Sequence, residues 1–134
     1  MAVQKSTALR DAQNDQIEVI TGVSALLRLF SGAQPANCAA ADAGTLLCEI
    51  ALPADWMNAS AAGVKSKQGT WSGTGVANNT AAHFRIKDVT GATCHLQGSV
   101  TQTGSGGDMT LDNPSITIGQ IVTINTFTAT ASGA

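Results

Sequence analysis

Between Ala81 and Thr101 the sequence AAHFRIKDVTGATCHLQGSVT alternates apolar and polar residues on both sides of a single break. Ala82, Phe84 and Ile86 share one parity while His83, Arg85 and Lys87 share the other, which is the period of a half-buried strand. After Asp88–Ala92 the pattern resumes, with Cys94, Leu96, Gly98 and Val100 on one parity and His95, Gln97 and Ser99 on the other. A short connection containing Gly91 suits a hairpin between the two arms. Folded together, they set Phe84 opposite Leu96 and Ile86 opposite Cys94. The pattern predicts one core face and one polar face turned to water or a partner.

Strand signals dominate the rest of the chain. Ala25–Phe30 is apolar on both parities except at Arg28, as in a central strand. Gly32–Asn37 is a loop marked by Pro35. Thr45–Leu52 sets Leu46, Cys48, Ile50 and Leu52 together, leaves Leu47 and Glu49 across from them, and ends at Pro53. Asp55–Asn79 is rich in small residues, and the reading places a turn of helix near Trp56 and an edge strand around Trp71. Met109 and Leu111 begin another strand, Asn113–Pro114 breaks it, and Ile116 and Ile118 follow. Gly119–Gln120 turns the chain into a Thr-rich alternation over Ile121–Thr130. Seven or eight short strands with turn residues between them predict an all-β chain, a β-sandwich or jelly roll.

Residues 1–22 read differently from the body at 23–134, although the whole is one domain. A short arm, Met1–Lys5, precedes a helix capped by Ser6 or Thr7 and stopped by Gly22. Leu9, Ala12, Ile17 and Ile20 lie near one stripe, and Asp11, Asp15 and Glu18 fall mainly elsewhere. So thin a stripe predicts a helix docked on a sheet or on another protein.

Charged residues are 12% of the 134, about half the usual ~25%. Such a surface suits a protein packed in many copies. The net charge of −2 and the lack of a basic stripe argue against non-specific nucleic-acid binding. No apolar stretch nears the ~20 residues of a membrane span, and no leader-like segment opens the chain, so the expected partners include neither nucleic acid nor membrane. The three cysteines, Cys38, Cys48 and Cys94, cannot all pair within one chain. Cys94 sits on an apolar parity, while Cys38 and Cys48 can bridge, though nothing requires it; a reducing assembly compartment is the favoured setting.

Catalytic chemistry finds little support. His83 and His95 can be cross-strand neighbours, but a third metal ligand is not evident, and an exposed pair is the plainer reading. Asp108 and Asp112 near Gly106–Gly107 hint at calcium, yet their spacing matches no binding loop. There is no G-x-S-x-G elbow and no phosphate loop. No enzyme activity, cofactor or metal is expected. Trp56 and Trp71, with Met57, bracket the longest irregular segment; they read first as core, otherwise as interface anchors or sugar platforms.

Several segments taken in order, STALRDAQNDQIE, PANCAAADAGTLL, LPADWM, KSKQGTW, AAHFRIKDVTGATCHLQGSV and GGDMTLDN–ITIGQIVTINTFT, resemble a family of small virion structural proteins of tailed bacteriophages. The likeness runs from about Ser6 to Thr130 and is greatest to the capsid cement (decoration) proteins of short-tailed phages. It implies a jelly-roll-like body on the outside of the virion capsid, assembled in the host cytoplasm. The implied partners are the major capsid protein and further copies of the chain, as a homodimer or small homo-oligomer. Leu9, Arg10, Ile17, Trp56 and Met57 are the candidate contacts. The alternative is a tail or head-fibre module that binds a host surface glycan through exposed Trp56 and Trp71.

Overall fold

The computed structural model describes residues 3–133, so Met1 and Ala2 of the expected arm lie outside the described residues. Along them run α1 (Thr7–Thr21), β1 (Leu26–Phe30), β2 (Leu46–Ala51), β3 (Val64–Ser66), β4 (Trp71–Thr74), β5 (Asn79–Thr80), β6 (His83–Lys87), β7 (Cys94–Gln102), β8 (Met109–Leu111), β9 (Ser115–Ile116), β10 (Ile121–Ile124) and β11 (Thr128–Thr130). The chain is β-rich with a short helix at its start. Its strands are more numerous and shorter than the alternation predicts.

The principal sheet has the order β2-β1-β6-β7-β8. Its register explains the alternation: Leu27 lies between Ile50 and Ile86, and Leu29 between Cys48 and Phe84. These rows bury one face. Three two-stranded pairs, β10-β4, β11-β3 and β5-β9, complete the body. A bridge from Cys48 to Gly75 ties β2 to the end of β4, and Asn125 Nδ2 after β10 donates to Asp112 after β8 at 3.0 Å. The sheet thereby curls around its apolar side.

Trp56 and Trp71 fill that interior with no exposed surface, 6.0 Å apart, and Phe127 bridges Trp71 to Phe84 through ring contacts of 5.8 and 5.5 Å. Each buried indole contributes about 4–6 kcal/mol of transfer free energy, before ordering costs, at ~25 cal/mol per Å². Their polar edges are satisfied by backbone carbonyls: Trp56 Nε1 donates to Gly22 and Trp71 Nε1 to Gln68. Two expectations fail around them. No helical turn forms near Trp56; instead Met57 bridges Lys67, and β3 pairs with β11. The alternation over Ile121–Thr130 splits into β10 and β11 because Phe127 turns into the core between them.

The central hairpin forms, with a corrected register. Phe84 faces Gly98, Ile86 faces Leu96, and a bulge between Ile86 and Lys87 brings Cys94 opposite Lys87. The bulge arises where Asp88 closes the connection by accepting from Thr90 Oγ1 and the Ala92 N–H. Gly98 is required for space: a Cβ there would stand 2.7 Å from the Phe84 ring. The second face of β6 is also not open. His83, Arg85 and Lys87 are all buried, because the loop at residues 31–45 folds across them.

β8 joins β7 in parallel after a very short connection, where a helical crossover is usual. Gly107 N–H bonds to Thr101 Oγ1, and Asp108 accepts from the N–H and Oγ of Ser99. These contacts fold the loop back along the strand it leaves.

Candidate functional site

The helix begins and ends where its sequence dictates. Ser6 Oγ accepts from Leu9 N–H at 3.1 Å, and Gly22, at φ 88°, returns its N–H to Glu18 O at 2.8 Å. A positive φ costs glycine little and other residues much, so the helix stops there.

Its orientation reverses the expected one. The face carrying Asp11, Asn14, Asp15 and Glu18 is turned inward. Asp11 Oδ1 accepts from Ser60 Oγ and Gly63 N–H, both at 2.8 Å, and Asp15 Oδ1 accepts from Ser60 N–H at 2.8 Å. Asn14 Nδ2 donates to Gly63 O at 2.8 Å, and Glu18 Oε2 accepts from Met57 N–H at 3.1 Å. Beneath them Lys65, 2% exposed, donates to Asp15 and Glu18 at 2.9 Å each. The loop between β2 and β3 has few side chains with which to hold its own backbone. The helix supplies the missing acceptors.

Charges in this network follow from its contacts. Hydrogen bonds from the Ser60 N–H, then from Lys65, hold the Asp15 carboxyl below the usual aspartate range. Burial pushes Lys65 down, but bonds to Asp15 and Glu18 outweigh it and raise the amine above an ordinary lysine. Net attraction survives partial burial because each charge keeps several partners.

The fully exposed residues of α1 are all uncharged, Thr7, Ala8, Leu9, Ala12, Gln13, Gln16, Val19 and Ile20, while Asp15 stays 44% exposed at the edge of this face with its carboxylate bonded inward. Val19 is 67% exposed and Ile20 62%, and Val23 continues the patch beyond the helix. A helix on a protein surface ordinarily places its charges outward. Val76, Ile118 and Ile121 form a second exposed apolar group on other elements, where the turn after β9 meets the segment after β4.

Of the candidate contacts, Leu9 is exposed on this outward face. Arg10 is turned inward, its guanidinium against Gly63, and Ile17 packs on the core cluster. Trp56 and Met57 are buried and offer a partner no surface. Both indoles are equally closed to a sugar ring. Val19 lies outside the stripe of Leu9, Ala12, Ile17 and Ile20; the sequence signal for its exposed face is that Arg10, Asp11, Asp15 and Glu18 fall on one side of a helical wheel and leave the other without charge.

A second polar cluster lies under the loop covering β6. Asp42 accepts from Arg85 Nη1 at 2.6 Å and Lys87 Nζ at 2.7 Å, and Arg28 approaches it at 3.5 Å. Arg85 Nη2 donates to the carbonyls of Asn37 and Cys38 at 3.2 and 2.9 Å. Burial raises the Asp42 carboxyl, but Lys87 and Arg85 overcome this and hold it below the usual range. A cleft of about 520 Å³ opens beside the cluster, with Cys38 and Cys94 in its walls.

The remaining sequence candidates separate. His83 is buried against Phe30, 5.2 Å between ring centroids, with Nδ1 2.9 Å from Gly32 O; it pairs with Ser99, not with His95. The expected exposed histidine pair does not form. Asp108 is engaged with Ser99, and Asp112 with Thr103 and Asn125. No group of three or more metal-ligating side chains forms among the described residues. All three cysteines are free; Cys48 is enclosed in the core, and the thiol beside Cys38 is that of Cys94. Comparison with family models, curated proteins and solved structures finds no match.

Proposed function

We propose that the chain is a capsid cement protein of a tailed bacteriophage, bound to the outside of the major capsid protein shell. The observation that carries this reading is the outward face of α1, uncharged and with Leu9, Val19 and Ile20 exposed on it, on a helix fixed to the body by its charged side. Such a face is costly to leave in water and suits an apolar, uncharged groove between capsid subunits. The second apolar group at Val76, Ile118 and Ile121 gives the body another contact to offer, to a second capsomer or a second copy. Two contacts held on one rigid body raise each other's effective concentration, so each can be weak. Binding only the expanded shell would stabilise that shell by mass action.

The same reading takes the body as jelly-roll-like. Its support is the curl of the principal sheet around an aromatic interior, with β10-β4 and β11-β3 as short pairs beyond it. The experiment is a reconstruction of the particle with this chain located in it. Copies spread over the whole head, with α1 against the shell, are the expected result; density confined to the tail vertex or a fibre overturns the proposal.

A further inference from the structure

Cys38 and Cys94 come from distant parts of the chain and meet because the loop at residues 31–45 is pinned over β6. Asp42 bonded to Arg85 and to Lys87, and Arg85 bonded to the Cys38 carbonyl, are among the interactions that hold that loop. The bulge in the hairpin then turns Cys94 to the same side, opposite Lys87. The two thiols share the walls of the cleft, each close enough to perturb the other, and the Cys94 thiol donates to Leu96 O at 3.5 Å. Both are only half-buried, so a small reagent can enter. From this geometry we infer that Cys38 and Cys94 form a reversible dithiol–disulfide clasp, closed by small-molecule disulfides and opened by thiols.

Arg85 gives the site its electrostatics. It is 1% exposed, lies against Cys94, and its Nε has no hydrogen-bond partner among the described residues. An unpartnered buried donor is unfavourable unless an acceptor arrives. A thiolate forming at Cys94 is such an acceptor. In the resting protein burial, followed by the neighbouring Cys38 thiol, pushes the Cys94 thiol up to about 11. Cys94 is therefore the less ready of the two to attack a reagent first and is assigned the resolving role.

The exchange balances as follows. The Cys38 thiolate attacks one sulfur of a disulfide RSSR; its S–S bond breaks, and RS⁻ leaves and takes up a proton. Cys94 releases its proton to water and attacks the Cys38 sulfur, expelling the second RS⁻. The protein dithiol loses two electrons and two protons, and the oxidant becomes two thiols. The resulting bond ties the loop to β7 covalently, so the loop no longer depends on the charge of Asp42. Cys48 is excluded as a competitor by complete burial in the core.

The test uses the full chain and oxidised glutathione. After incubation, the protein is digested without reduction by trypsin and by a protease cleaving at Asp42, which separates Cys38 from Cys48, and is mapped by mass spectrometry. A peptide joining Cys38 to Cys94, formed equally in Cys48→Ala and lost on reduction with dithiothreitol, is expected. Glutathione adducts alone, unmodified thiols, or a bridge to Cys48 would overturn the inference. Cys94→Ser should halt the reaction at a Cys38–glutathione adduct; should that variant fail to fold, the wild-type map decides alone. This inference is independent of the capsid reading, because an unattached monomer is expected to close the clasp.

Discussion

Lys65 Nζ lies 2.9 Å from both Asp15 Oδ1 and Glu18 Oε1, so an amine of the body is neutralised entirely by the helix above it. The helix is therefore part of the folded unit rather than a loose arm. Removing one side of a buried pair leaves the other charge without compensation. The double variant Asp15→Ala, Glu18→Ala is expected to lose about 3 kcal/mol, less if Lys65 reaches solvent. Urea unfolding of both proteins measures it. A loss below about 0.5 kcal/mol would mean that Lys65 is not held by these contacts.

Acid should unfasten both networks. Asp15 and Asp42 are each held below the ordinary aspartate value of 3.8. A depressed carboxyl contributes stability that is fully present above its unfolded value and is lost as pH falls through its folded value. Stability should hold through neutral pH and decline from about pH 4 downward. At the other extreme, Lys65 is raised above 10.5, so its contribution persists until pH rises past that value. Unfolding midpoints across the acid range, compared with Asp15→Asn and Asp42→Asn, should show a shallower acid decline in each variant.

The outward face of α1 makes the opposite kind of prediction. Val19→Asp with Ile20→Asp touches no buried contact, and the stability change should stay within about ±0.5 kcal/mol. Occupancy on expanded heads that lack the chain should nevertheless fall at least tenfold, the effect of about 1.4 kcal/mol. Co-sedimentation with such heads reads this directly. Unchanged occupancy would remove α1 from the interface.

Neighbouring residues on β6 should both matter. Phe84 is buried against Phe127 and is expected to lose about 3–5 kcal/mol on truncation to alanine. By strand parity alone Arg85→Ala should cost the isolated domain far less. Its bonds to Asp42, Asn37 and Cys38 predict a comparable loss, about 3 kcal/mol. Thermal and urea unfolding of the two variants distinguish these expectations.

Gly98→Ala tests the register. The added methyl would stand 2.7 Å from the Phe84 ring and 2.9 Å from the Asp108 side chain. About 1–3 kcal/mol of destabilisation is expected from overpacking. A neutral result in urea unfolding would mean that Phe84 lies opposite another residue.

The alternation from Ala82 to Val100 determined by itself that β6 and β7 pair and that Phe84 and Ile86 point into a core, because side chains alternate with a period of two whatever surrounds them. Ser6 and Gly22 set the ends of α1 just as locally, through a cap and a positive φ. Which face of each element meets protein was decided elsewhere. The loop carrying Asp42 buried the face of β6 that pattern alone assigns to solvent, since two cations and a carboxylate compensate one another only when brought together. The helix turned its carboxylates inward because an alanine-rich loop, distant in sequence, had N–H groups to satisfy and the strand after it a lysine to pair. Likewise the bulge that moved Cys94 beside Cys38 depends on how Asp88 closes a turn. Periodicity records a residue's own preference for water, whereas burial of a charge depends on a partner, and the partner's position exists only in the folded chain.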